Sequence, residues 1–171
     1  IGPGLPIIAI GGTNIDTGLP NTLQMTAPAG ATVVSPLTTL VQHAATQRGI
    51  SAADAETLVQ TALGLTADVD LIHYDPLAQA AGSADALAVQ QLAAQVATLA
   101  TLAPEGDTAF ASIAASVGSA GGQTLDLSDA AVLQSILPGA PGQVLDQVAA
   151  INQALGNTIS LADISAIQAA V

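Results

Sequence analysis

The stretch DVDLIHYD, residues 68–75, holds the densest group of metal-binding side-chain types in the sequence. The calcium loop of an EF-hand needs three alternating carboxylates followed by a glycine and, further on, a glutamate. Asp68 and Asp70 supply the first two carboxylates. Ile72 and His73 stand where the third carboxylate and the glycine should be. The spacing therefore excludes an EF-hand.

Two interpretations of these acids remain open. Asp70 and Asp75 are predicted to cap helices, because aspartate is among the preferred residues at helix N-termini. Alternatively, Asp68, Asp70 and Asp75 form a weak calcium site, and calcium is the only cofactor that the sequence leaves open. A zinc or haem site through His73 has no support, because His43 is the only other histidine and cysteine is absent.

The tripeptide Asp16-Thr17-Gly18 matches the signature of aspartic proteases, in which two aspartates share a proton. That chemistry needs a second such tripeptide, and neither Asp-Thr-Gly nor Asp-Ser-Gly occurs again. A motif also counts only in its structural context, and most of the chain after Val34 is predicted to be helical. We therefore expect Asp16 to lie in a turn and to accept main-chain hydrogen bonds.

Nucleophilic catalysis finds no support elsewhere in the sequence. No Gly-x-Ser-x-Gly elbow occurs, and the only basic side chain is Arg48, so a Ser-Lys dyad and a P-loop lysine are both excluded. His43 falls on a predicted helix, where a lone histidine is usually structural. No catalytic residue is predicted, and we expect that the protein is not an enzyme.

Composition bears on the partners of the chain. Its 171 residues include 13 acidic and 1 basic side chain, for a formal net charge of -12. Nucleic-acid binding requires lysine and arginine to neutralise phosphates, so a nucleic-acid partner is excluded. Half of the residues are apolar but only 1% are aromatic, and alanine supplies much of the rest. Small alanine side chains allow helices to pack closely on more than one face.

After Val34 the sequence reads as a series of helices separated by start and stop signals. Serine or aspartate, in places followed by proline, marks the starts, and glycine or proline marks the ends. Ser51 and Ser160 are each followed three residues later by an aspartate, which resembles a capping box. The predicted helices lie between Ser35 and Gly49, Ser51 and Gly64, Asp75 and Gly82, Ser83 and Pro104, Asp107 and Gly118, Ser128 and Pro138, Pro141 and Gly156, and Ser160 and the chain end. The sequence thus predicts a mainly α, alanine-rich bundle of about seven or eight helices.

Residues 1–34 are predicted to be extended. The runs LPIIAI (5–10) and TLQMT (22–26) predict a small hairpin or two edge strands. Two strands alone are marginal in water, so they must pack on the helices or complete the sheet of a preceding module. We therefore divide the chain into this segment and a helical domain, 35–171, which we expect to be truncated because its last helical pattern reaches the chain end.

The stretch Ala86–Pro104 has no charge, so we compare it with a membrane-spanning helix. A spanning helix is mostly apolar over about 20 residues and is flanked by basic residues. Here Gln90, Gln91 and Gln95 interrupt the stretch, and no lysine or arginine flanks it. We expect a buried central helix and no transmembrane span.

Three strings carry a resemblance: GGTNIDTGLPNTLQMTAPAGATVVSPLTTLVQ (11–42), GISAADAETLVQTALGL (49–65) and DVDLIHYDPLAQA (68–80). They resemble a module of large bacterial secreted or cell-surface proteins, the adhesin-like, RTX-type chains. In these, a carboxypeptidase-regulatory-like or Ig-like β segment leads into alanine-rich helices. The resemblance implies an extracellular location and a structural or adhesive role. Because the glycine- and aspartate-rich calcium repeats of such proteins are absent, it does not itself supply a calcium site.

Two functions remain as expectations. The first is a structural, assembly or adhesive domain of a secreted or cell-surface protein, whose partners are protein surfaces: other copies, or other domains of the same chain. A surface this poor in charge suits burial against protein. The alternative is a helical binding module that holds a small hydrophobic ligand, or an accessory subunit of a larger complex, although ligand pockets are usually lined with aromatic residues.

Overall fold

A two-stranded antiparallel sheet leads into seven α-helices in the computed structural model, which describes residues 4–13, 18, 20–80, 82–102 and 108–170. The elements are β1 (Ile7–Ala9), β2 (Met25–Ala27), α1 (Pro36–Arg48), α2 (Ala52–Leu63), a 3-10 helix (Pro76–Ala78), α3 (Ala84–Leu102), α4 (Thr108–Ser119), α5 (Ala130–Ile136), α6 (Gly142–Gly156) and α7 (Leu161–Ala169). The predicted mainly α fold with a small N-terminal sheet is confirmed.

The first helix begins and ends where the sequence predicts. The Ser35 hydroxyl accepts a hydrogen bond from the Thr38 N–H, and the Thr38 hydroxyl accepts one from the Ser35 N–H. This reciprocal pair is a capping box with threonine in the place of glutamate or glutamine. Gly49 ends the helix in the left-handed conformation, at φ 63°, which a residue without a Cβ adopts at little cost.

The predicted capping boxes of α2 and α7 are only half formed. At each start the serine hydroxyl accepts a hydrogen bond from the N–H three residues later, in Asp54 or Asp163. The aspartate carboxylates, however, accept from the serine hydroxyls and not from the serine N–H, at 2.6 Å for Ser51 and 2.7 Å for Ser160. The shorter aspartate side chain still places its charge in the first helical turn, where the helix dipole favours it.

One other predicted start is wrong in detail. Asp129, not Ser128, caps α5, with its carboxylate accepting from the Ala131 N–H at 2.7 Å. Ser128 is instead held by Asp126, whose Oδ1 accepts from its N–H at 2.8 Å and from its hydroxyl at 2.6 Å. These bonds also lower the pKa of Asp126, chiefly the one from the Ser128 side chain.

The helix predicted between Asp75 and Gly82 is shorter than expected, because only the 3-10 turn Pro76–Ala78 forms there. The Asp75 carboxylate nevertheless accepts the Leu77 N–H at 2.9 Å, as a capping residue does. The predicted boundaries at Pro104 and Asp107 lie outside the described residues.

The core forms around α1 and α3. Helix α1 packs against α2, α3, α4 and β2, whereas α3 also packs against α6 and α7. The fully buried large side chains include Leu40, Leu99, Phe110 and Ile113, and alanines such as Ala44 are also completely buried between the helices. Burying a side chain of the larger kind contributes about 1.5–3 kcal/mol. Leu23 from the N-terminal segment belongs to the same core, while the division of the chain at residue 34 stays a prediction.

Helix α3 binds the C-terminal part of α6 and the residues that follow it through two glutamines. The Gln91 amide donates to the Thr158 carbonyl at 2.9 Å, and the buried Gln95 amide donates to the Asn152 carbonyl at 2.8 Å. Asn152, itself fully buried, donates to the Leu127 carbonyl at 2.8 Å. Two of the glutamines of the uncharged stretch therefore hold α3 to the C-terminal part of the bundle. Within the described residues, no helix is long and apolar enough to cross a membrane.

Candidate functional site

The acidic segment singled out in the sequence forms a loop that is tied to α2. The Gln60 amide, which is buried, donates to the Val69 carbonyl at 2.7 Å. One turn earlier on the same helix, the Glu56 carboxylate accepts the Leu71 N–H. The loop is also joined to the N-terminal segment, because the Thr32 N–H donates to the Ile72 carbonyl.

The titratable groups in this loop and beside it on α2 affect one another's pKa values. Asp70 lies 2.9 Å from the Nδ1 atom of His73, and this side-chain hydrogen bond raises the pKa of the imidazole. Burial raises the pKa of Glu56, and the hydrogen bond from Leu71 opposes that effect. Both Asp70 and His73 are about half exposed, so their attraction is screened by solvent.

The structure does not bring the three predicted calcium ligands together as a group. Asp68 is exposed, Asp70 binds His73, and Asp75 caps the 3-10 helix. Among the described residues there is no cluster of three histidine, cysteine, aspartate or glutamate side chains placed to hold a metal ion. The prediction that Asp70 caps a helix is wrong, since only a turn follows it. Calcium binding stays a prediction without geometric support.

The other side chains considered for chemistry either contact neighbouring helices or lie outside the described residues. Asp16 and Thr17 lie outside the described residues. The His43 ring lies nearly parallel to the Phe110 ring, with 6.4 Å between the centroids. Arg48, the single basic side chain of the sequence, donates to the Gly118 carbonyl near the end of α4 at 2.8 Å, where a cation is favoured.

The most unusual surface of the described chain is the outer edge of β1. Ile7 is paired with Ala27, Ile8 with Thr26 and Ala9 with Met25. The Thr26 main chain points away from β1, because its N–H donates to the Thr39 hydroxyl at 2.9 Å and its carbonyl accepts from Thr38 and Thr39. Side chains of α1 therefore close one edge of the sheet.

The same contacts determine the direction of the Ile8 main chain. In an antiparallel pair, directly opposed residues either exchange hydrogen bonds or both point outward. Since Thr26 points outward toward α1, its partner Ile8 presents its N–H and carbonyl on the opposite edge. That edge is open, because the sheet holds only β1 and β2 among the described residues.

Large apolar side chains within β1 and next to it in the sequence are exposed. Leu5 is 88% exposed, Ile8 56% and Ile10 76%. Single exposed apolar residues are normal, whereas several together mark a contact surface. We call Leu5, Ile8 and Ile10, with the outward main chain of Ile8, the β1 edge. The sequence indicated this surface, because apolar and polar residues do not alternate in the run LPIIAI as they do in a strand with one solvated face.

A groove of about 470 Å³ lies between the N-terminal segment and α3. Its apolar lining includes Leu23 and Met25 from the N-terminal segment, Val34, and Ala93 and Ala97 from α3. None of the residues that line it is charged. Its volume lies within the range of small-molecule sites.

Comparisons with known proteins add no relative: no protein family, curated protein or solved structure matches this chain.

Proposed function

We propose that the chain is a structural or assembly domain, with no enzymatic activity, of a secreted or cell-surface bacterial protein, and that it attaches to other protein through the β1 edge. The observation that carries this proposal is the open edge itself. An unpaired main chain flanked by exposed apolar side chains is a template for another strand, and proteins usually blunt such edges with charges. From Gly4 to Thr13 the chain has no charge.

The use of the polar side chains supports the same proposal. The side chains of Asp54, Asp75 and Asp129 serve helix starts, and those of Glu56 and Gln60 hold the loop that follows α2. These contacts stabilise the bundle and do not converge on a common point from which a substrate could be bound. The resemblance to adhesin-like proteins adds the extracellular location.

The test determines where the protein is located in its source cells. Intact cells are treated with a protease, and the fate of the chain is followed by immunoblot beside a cytosolic marker. We expect the chain to be cleaved while the marker survives, and detergent extracts to contain it in a complex much larger than 16.6 kDa. A chain that is protected in intact cells and is extracted as a discrete small protein would contradict the proposal.

The groove supports one alternative, a module that holds a small hydrophobic ligand. Leu23, Met25 and Val34 provide an apolar wall opposite the alanines of α3. Native mass spectrometry of the purified natural protein decides between the two functions. A stoichiometric bound molecule, lost when Ala97 is replaced by a larger leucine, would favour the ligand-binding function over assembly.

A further inference from the structure

We draw no further inference here: the strongest candidate, the groove between the N-terminal segment and α3, is lined only by neutral side chains that do not select one occupant, and nothing in the structure shows what covers it.

Discussion

The contact between α1 and β2 gives the sharpest test of the fold, through the substitution Thr39→Val. Valine has the shape of threonine but no hydroxyl. Thr39 Oγ1 accepts from the Thr26 N–H at 2.9 Å, and it can donate its own hydrogen to the Thr26 carbonyl at 3.1 Å or to the Ser35 carbonyl at 2.8 Å. The substitution therefore removes one acceptor and one donor from a site with no exposure to solvent.

The expected cost follows from these two losses. An orphaned buried N–H costs about 1–3 kcal/mol, and a lost neutral hydrogen bond costs about 0.5–1.5 kcal/mol. We therefore expect the free energy of unfolding to fall by about 2–4 kcal/mol. In a chain of this length each kcal/mol corresponds to about 2–4 °C, so the melting temperature should fall by roughly 5–15 °C.

The measurement combines thermal unfolding with hydrogen exchange at the Thr26 amide, which should lose its protection. Thr61→Val is the matched control, because Thr61 is exposed and its hydroxyl bonds only to the Thr57 carbonyl of its own helix. The control should change stability by less than about 0.5 kcal/mol. Thr39→Ser, which retains the hydroxyl, should restore the protection of Thr26. Equal effects of the two valine substitutions, with Thr26 still protected, would refute the reasoning.

Three further predictions concern other parts of the chain. Burial raises the pKa of Glu56 above its ordinary value of 4.5, so its contribution to stability is fully present below pH 4.5 and is lost as the pH rises through the folded-state pKa. Glu56→Gln should flatten that part of the curve of unfolding free energy against pH, and an unchanged curve would contradict the assignment. Gly64→Ala should cost about 1–2 kcal/mol in chemical denaturation, and more than Gly49→Ala. Both glycines have positive φ, but only at Gly64 would the new Cβ meet another side chain, the Thr124 methyl, at 3.3 Å. Adding calcium or a chelator should leave the melting temperature unchanged, because Asp70 and Asp75 already serve His73 and Leu77; a rise with calcium would instead establish the ion site.

The helices could be predicted because their signals are local. Ser35, Gly49 and Gly64 act on main-chain groups within four residues, so the sequence pattern contains the whole interaction. The prediction failed where neighbouring residues compete for the same role. Ser128 resembles a capping residue, but its hydroxyl donates a hydrogen bond to Asp126 instead, and Asp129 is the residue that caps α5.

The candidate site could be predicted only in part, because its geometry depends on contacts between distant segments. The run LPIIAI indicated a strand, but nothing near it in the sequence shows which edge stays open. That depends on Thr38 and Thr39, twelve or more residues beyond β2's Thr26. Two adjacent threonines in a first helical turn resemble ordinary weak helix formers, so their role becomes visible only in the folded chain.

The two glutamines of α3 bear on how one arrangement of this bundle is selected. Alanine-lined helix surfaces are smooth, so sliding one helix along another changes the contact energy little, and several packings lie close in energy. Gln91 bonds to Thr158, just after α6, and Gln95 bonds to Asn152 of α6, so sliding α3 along α6 would break both hydrogen bonds. Gly156 leaves space for Gln95, since a Cβ there would lie 3.2 Å from the Gln95 amide nitrogen. Buried polar groups of this kind act more by selecting one packing of the helices than by raising the free energy of unfolding. Replacing both glutamines with leucine would therefore give a chain that is still helical but populates more than one alignment of α3 and α6.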